Sequence, residues 1–414
     1  MHFLIYGKGF QTWEYSPQYA LRSYLYVLVH AVPGWLYKTL LSPNPMFIFY
    51  SLRCVMAVAC SLAELYFFKG VVKEVGANVG RITLALMVFS AGFFISSTAF
   101  LPSTTSMYLT MVSHGAWFRQ AYPLAIFATA LSALLSWPFA ALLGAPIAFD
   151  IVFRKRKIVT FIKWSLISAV VILLPQISID SDYYGKLVSA PLNIVTYNVF
   201  TSHGPDLYGT EPWYFYLING LLNFNVAFLA AIVVVPIHLV VTKLIGIPPA
   251  SRQFLPHWLS HLALYLWLTV FGLQPHKEER FLFPAYPLVC LAAASTIDSV
   301  QKLFYFFFVK VKAKHYLSHT QWISVSAIAV YSILCCSRIV GIYQNYHAPI
   351  DIWMNIAHMP KVSLNNYFSI VRFATTLQST INANFSQCCE NGLVNMNTMI
   401  NVCEFKLCFH YCEV

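Results

Sequence analysis

The sequence predicts an all-α polytopic membrane protein, and three observations carry that prediction. Of its 414 residues, 58% are apolar and only 10% are charged, whereas soluble domains carry about 25% charged residues because most of their surface faces water. Mean hydropathy is +0.64, so the apolar surface exceeds what one aqueous core can hide and the bilayer must solvate much of it. Basic residues fall in short clusters between apolar runs, the pattern of cytosolic loops. No alternating pattern recurs at barrel spacing, so helices and not strands are expected to cross.

The net charge of +11 belongs to those clusters. No basic stripe is interleaved with stacking aromatics, which argues against nucleic acid as a partner. The start, Met1-His2-Phe3-Leu4, has no basic stretch followed by a small-residue cleavage site, and no removable signal peptide is expected.

Eight stretches approach the length and apolarity of a membrane-crossing helix: 46–68, 82–101, 122–149, 160–179, 217–241, 257–273, 281–299 and 320–340. The third is interrupted by Pro123, Pro138 and Pro146 and is expected to be broken or tilted. The basic loops are 69–81, 150–159 (Arg154, Lys155, Arg156, Lys157), 242–256 and 301–318. All four fall on one side if each stretch crosses once, and the positive-inside rule makes that side cytosolic. Loops 102–121, 180–216 and 274–280 and the tail after 341 then lie across the membrane. The run Gln18–Leu41 holds Arg22, His30, Pro33 and Lys38 among tyrosines and Trp35, which suits an interfacial helix. This divides the chain into an N-terminal segment 1–45, a membrane module 46–340 and a tail 341–414. From Met354 the tail becomes Asn-rich, with five of the ten cysteines in the final 27 positions. Asn384-Phe385-Ser386 is a glycosylation sequon on the far side.

Two polar constellations interrupt the apolar pattern on that far side. The first includes Asp180, Asp182, Tyr183 and Tyr184, then His203, Asp206, Tyr208, Glu211, Trp213 and Tyr214. Carboxylates that bind hydroxyls, mixed with aromatic faces that stack on a pyranose, are what sugar recognition requires. An aromatic belt with Gly-Pro turns accounts for the Tyr and Trp residues but not for Asp180, His203 or Glu211. The second constellation is five consecutive ionisable residues, His276-Lys277-Glu278-Glu279-Arg280, in a short loop between two apolar helices. His276, Lys277 and Arg280 suit a lipid-linked phosphate, with Glu278 and Glu279 orienting the cations or binding sugar hydroxyls. A solvated charged turn explains the same residues equally well. Arg53 and Glu64, inside the first span, are expected to face the bundle interior or an aqueous cavity and are secondary functional candidates. Gly7-Lys8-Gly9 lacks the context of a dinucleotide loop. The spacing of Cys403, Cys408, His410 and Cys412 matches no standard metal site, so no metal is expected.

His276-Lys277-Glu278-Glu279-Arg280-Phe281-Leu282-Phe283-Pro284 with Tyr286-Pro287-Leu288 resembles the signature of glycosyltransferase family 22, mannosyltransferases of the GT-C fold. The stretch from Pro191-Leu192-Asn193 through His203-Gly204-Pro205-Asp206-Leu207-Tyr208-Gly209-Thr210-Glu211-Pro212-Trp213-Tyr214 resembles its α-1,2-mannosyltransferase branch of asparagine-linked glycosylation. Phe10-Gln11-Thr12-Trp13-Glu14-Tyr15-Ser16-Pro17 is similar to the first lumenal loop of that branch, and Tyr346-His347-Ala348-Pro349-Ile350-Asp351 to the end of its membrane module. The resemblance runs from about residue 2 to 353.

It implies a GT-C-like bundle in the endoplasmic reticulum membrane with its active face in the lumen. The donor would be dolichyl-phosphate mannose, the acceptor the lipid-linked oligosaccharide, and no cofactor is implied. His276, Lys277 and Arg280 would clamp the departing phosphate. Asp180, Tyr183, Tyr184, His203, Asp206, Tyr208, Glu211, Trp213, Glu278 and Glu279 would bind sugar or acceptor. The family's catalytic aspartate belongs to an acidic motif just upstream of the segment matched by Met1–Pro17, and the tail after Met354 does not resemble the family's longer lumenal C-terminal region, so this chain is expected to be truncated at both ends and weakly active or inactive. Glu14 and Asp180 are the carboxylates considered in its place. The competing expectations are a non-catalytic multi-pass protein regulating an intact enzyme and a lipid or solute transporter; a transporter would call for paired broken halves, and no internal repeat is present.

Overall fold

The computed structural model describes residues 1–7, 11–41, 45–200, 209–245, 255–309 and 316–346. Among them it contains helices and no strand. The α-helices are α1 (His2–Tyr6), α2 (Tyr24–Leu40), α3 (Pro45–Glu74), α4 (Ala77–Phe89), α5 (Ala91–Ser96), α6 (Pro102–Phe118), α7 (Tyr122–Leu131) and α8 (Ala145–Phe149). They continue with α9 (Ile158–Tyr184), α10 (Ala190–Phe200), α11 (Phe215–Phe224), α12 (Val226–Ile232), α13 (Val234–Ile245), α14 (His257–Leu273), α15 (Tyr286–Val309) and α16 (Tyr316–Tyr346). The chain divides into two units, Met1–Arg338 and Ile339–Val414. Of the second, only the last turns of α16 are described. His203, Asp206, Tyr208 and Asn384 lie outside the described residues.

Four helical stretches are long and apolar enough to cross a membrane: Met46–Glu74, Ile158–Tyr184, Glu279–Phe308 and Tyr316–Asn345. A fifth is the pair α12 and α13, bent by 61°. The expected count of eight is therefore not reached by length and hydropathy. The difference lies in short and broken helices. Ser90 interrupts 82–101, its hydroxyl capping α5 through the Phe93 amide at 3.2 Å. Pro138 forces Trp137 into an extended conformation and splits 122–149 into α7, a π-helical turn (Ser132–Ser136), a 3-10 segment (Pro138–Gly144) and α8. At the α12–α13 bend Pro236 has no N–H for the Ile232 carbonyl, and the Tyr265 hydroxyl donates to it instead at 2.7 Å.

The largest correction concerns 102–121, expected as a far-side loop. It is the helix α6, and 13 of its 17 residues are buried. By contrast only 11% of the most apolar stretch of α9, and of α16, is buried. A helix surrounded by protein need not be apolar, and Ser103, Thr104, Ser106, Thr110, Ser113 and His114 lower its hydropathy below that of a lipid-facing helix. Its close neighbour is α3. A methyl group on Gly70 would lie 2.7 Å from the Gly115 carbonyl oxygen, so two glycines allow the backbones to touch.

Contacts sort the helix ends into two sets. At one end Lys73 donates to the Arg119 carbonyl at 3.4 Å, and Trp117 to Asp150 at 2.9 Å. There too the Lys157 ammonium lies 4.9 Å from the Tyr122 ring. At the other end the Tyr26 hydroxyl meets Thr105 at 3.0 Å, and the Gln176 amide donates to the Leu134 carbonyl at 3.1 Å. So α6 runs from the second end to the first, α7 with its π turn runs back, and 138–154 runs forward again. Three short passes replace the single expected one. An odd number leaves the basic residues at 69–81 and 150–159 at one common end.

Candidate active site

The charged connection lies at the end opposite those basic residues. α14 stops because Pro275 holds Gln274 extended. The chain re-enters a helix through the 3-10 turn Glu279–Ala285. Between them Glu278 is bracketed by two cationic groups. His276 Nε2 meets its Oε1 at 2.9 Å and Arg280 donates to the same oxygen at 3.0 Å, while Arg280 Nε pairs with Oε2. Burial pushes the Glu278 carboxyl up, but the bond from His276 and the Arg280 guanidinium outweigh burial and hold it at about 2. Reciprocally, the Glu278 hydrogen bond lifts the His276 imidazole above its ordinary value of 6.5, against the effect of burial.

Lys277 points the other way. It is 5% exposed, and its ammonium donates to the carbonyls of Gln274 at 2.6 Å and Glu211 at 3.0 Å. Among the described residues no carboxylate lies within ion-pair distance of it. The Glu211 amide returns a bond to the Pro275 carbonyl at 3.0 Å, and His276 Nδ1 meets the Gly209 carbonyl at 2.9 Å. Segment 209–211 is thus stitched onto 274–277 mainly by backbone, and Glu211 enters through its main chain. Glu279 is buried and accepts from Asn223 Nδ2 at 2.6 Å, with the Tyr286 hydroxyl 3.1 Å from the same nitrogen. Trp213 is 77% exposed beside this connection.

The other candidates form a second cluster around α2 and the end of α9. Asp180 is fully buried, and its Oδ1 accepts from Ser23 Oγ (3.1 Å), Tyr24 N (2.7 Å) and Leu25 N (3.3 Å). The first amides of α2 have no partner within their own helix, and Ser23 does not cap them with its side chain. A carboxylate 156 positions away does so instead. The Tyr184 hydroxyl donates to the Arg22 carbonyl at 2.7 Å, and Tyr183 stacks on Tyr24 at 4.5 Å. Glu14 is ion-paired with Arg22 at 2.8 Å. Between the two clusters runs the first half of α6, which bonds to α2 through Thr105 and packs against Glu279–Ala285.

Sequence reasoning missed Arg22, Ser23, Asn223 and the Gly209 carbonyl. Only Ser23, a serine at the head of an aromatic helix, carried a recognisable capping signal. Among the described residues no set of three His, Cys, Asp or Glu side chains is arranged to hold a metal ion.

The fold is similar to that of a solved structure, ArnT from Cupriavidus metallidurans bound to undecaprenyl phosphate. The TM-score is 0.53 at 12% identity, covering 83% of this chain and 72% of that one. The fold is therefore that of a GT-C-like polytopic membrane protein. The sequence model of the Alg9-like mannosyltransferase family matches residues 1–376, and the chain belongs to that family. It is 49% identical over 352 residues to the mouse α-1,2-mannosyltransferase ALG9, covering 85% of this chain. It is also 49% identical over 362 residues to the Drosophila melanogaster α-1,2-mannosyltransferase Alg9, covering 86%. The chain spans 58% of the length of each of these curated relatives.

Proposed function

We propose that this chain acts in transferring mannose from dolichyl-phosphate mannose to the lipid-linked oligosaccharide precursor of N-glycans, in α-1,2 linkage. The active face is the end opposite the basic loops, in the lumen of the endoplasmic reticulum. The observation that carries the reading is Lys277, a buried ammonium held by two carbonyls. An ammonium has three protons, and the third is available to an anion. His276 and Arg280, oriented by Glu278, supply the rest of a phosphate clamp. Of the two cationic groups around that carboxylate, Arg280 is the more exposed.

In the reaction the acceptor 2-hydroxyl oxygen bonds to C1 of mannose as the bond from C1 to the phosphate oxygen breaks. Dolichyl phosphate leaves with the electron pair, and its growing charge is what the clamp stabilises. The hydroxyl proton passes to a base. Of the two carboxylates considered for it, Asp180 is sealed inside and committed to α2, which makes it a positioning residue. Glu14 keeps partial exposure beside Arg22, which leaves it as the carboxylate to take the acceptor proton. Glu279, Tyr183, Tyr184 and Trp213 belong to the surrounding sugar-binding walls.

The test is mannose transfer by the full chain in microsomes lacking the endogenous enzyme, supplied with radiolabelled dolichyl-phosphate mannose. Elongation of the lipid-linked oligosaccharide that is lost in Arg280→Ala supports the reading. Transfer that is indifferent to Arg280→Ala and Lys277→Met together overturns it.

A further inference from the structure

Three aromatic rings from distant segments of the chain meet on the surface near α2. Trp13 and Tyr19 come from the N-terminal stretch and Tyr197 from α10. Their centroids are 5.3 Å (Trp13–Tyr19), 5.9 Å (Trp13–Tyr197) and 6.0 Å (Tyr19–Tyr197) apart, and both contacts of Tyr19 are edge-on. The backbone is arranged to hold them. Asn193 Nδ2 donates to the carbonyls of Ala20 at 3.1 Å and Tyr19 at 3.4 Å. Asn193 and Tyr197 are four apart on one face of α10, so the bond that pins Tyr19 also brings Tyr197 against it. Ala20 has φ +46°, a left-handed conformation that a residue with a side chain rarely adopts. Its methyl is fully buried against Tyr24, Tyr184 and Val188, which hold the turn in that state. Backbone strain maintained by surrounding packing is a mark of sites whose geometry matters.

The surroundings say what the rings face. Trp13 is 45% exposed although two rings hold it. The residues exposed near it in sequence are Gln11, Pro17 and Gln18, and Thr196 and Asn198 are exposed beside Tyr197. Glu14, joined to Arg22, is its immediate neighbour. The exposed apolar surface of α10 adjoins the rings: Phe200, 76% exposed, is three residues from Tyr197 on the same face, and Leu192 and Val199 are exposed on the side next to it. The rings therefore lie at the border of an apolar face, with Glu14 and the exposed Gln18 on their polar side, as suits the glycan of a lipid-linked acceptor held just outside the bilayer. Such a surface matches a pyranose, whose axial C–H groups are attracted to the negative face of an aromatic ring while its rim hydroxyls need polar partners. A sugar phosphate is disfavoured here, because among the described residues Arg22, the cation beside Glu14, is already paired with that carboxylate.

The geometry points to Trp13, Tyr19 and Tyr197 as a carbohydrate-binding platform for mannose units of the acceptor oligosaccharide, separate from the phosphate clamp at His276–Arg280. That the glycan is a mannose oligomer rests on the function proposed above; the binding itself does not require transfer.

The experiment titrates the full chain in phosphatidylcholine nanodiscs with a free oligomannose glycan released from its lipid, measuring affinity by calorimetry and contacts by saturation-transfer NMR. Saturable binding is expected, weakened about tenfold by Trp13→Ala, as for truncation of a central aromatic anchor. Trp13→Tyr should keep most of it, and Tyr197→Ala should lose part of it with the unfolding temperature unchanged. Binding by Trp13→Ala as tight as wild type, or no saturable binding by wild type, overturns the platform. So does quenching of Trp13 fluorescence by brominated lipid that added glycan does not relieve. The two proposals fail separately. Glycan bound through Trp13 without mannose transfer retains the platform and removes the transferase. Transfer with an acceptor KM unchanged in Trp13→Ala retains the transferase and removes the platform.

Discussion

Asp180, in the last turn of α9, accepts a 2.7 Å hydrogen bond from the backbone amide of Tyr24, the first residue of α2. The N-terminal segment is therefore joined to the membrane module by a buried carboxylate acting as a helix cap. With Ser23 and Leu25 it collects three donors on one oxygen. Asp180→Ala leaves those donors unsatisfied and is expected to cost about 1–3 kcal/mol. Thermal unfolding in detergent reads this directly. Limited proteolysis should show cleavage within 1–40 before the rest of the chain, and an unchanged unfolding temperature would contradict the capping role.

Glu278 and His276 make donor binding depend on pH in a defined direction. His276 is held above 6.5 by Glu278, so its charge, and any stability it adds, is full below 6.5 and is lost as pH rises through the elevated value. Glu278, lowered from 4.5 to about 2, contributes stability above 4.5 that disappears as pH falls toward 2. Donor affinity should therefore decline on the alkaline side. In Glu278→Gln that decline should move to lower pH. Identical affinity profiles for the two proteins would show that His276 does not act through Glu278.

Lys277 combines a structural and an electrostatic role, which Lys277→Met separates by keeping the apolar stem and removing the charge. Removal of a donor aimed at developing charge typically costs about 100-fold or more in kcat. The same loss is expected here, together with loosening of 209–211 as its carbonyl partner disappears. Hydrogen exchange at 209–214 and the transfer rate are the two readouts. A normal rate with a loosened segment would restrict Lys277 to scaffolding.

The contact between α3 and α6 depends on the absence of side chains. Gly70→Ala places a methyl 2.7 Å from the Gly115 oxygen and 2.8 Å from its Cα, where backbone and not a flexible side chain must give way. Overpacking of this kind costs about 1–3 kcal/mol. Gly272→Ala is the control, since nothing lies within 4 Å of a methyl there. Equal unfolding temperatures for the two variants would refute the close-packing account.

The charged loop was legible because five consecutive ionisable residues between apolar helices are conspicuous at any register. Which of them pair was not: the sequence gives no means to see that Glu278 serves both His276 and Arg280 while Lys277 turns to backbone carbonyls. Asp180 was visible as a carboxylate at a helix end, but its role comes from an N-terminus more than 150 positions earlier in the chain. A cap supplied from another helix leaves no local pattern.

Composition and loop charge by themselves determined the membrane class, the helical character and the common end of the basic loops, because transfer into lipid is a property of short windows and of charge. Tertiary structure decided the number and path of the passes. Pro102–Phe118 is polar enough to resemble a loop, yet it runs through the middle of the bundle, where its neighbours are other helices and not acyl chains. Hydropathy measures the cost of meeting lipid, and a helix enclosed by protein never meets it.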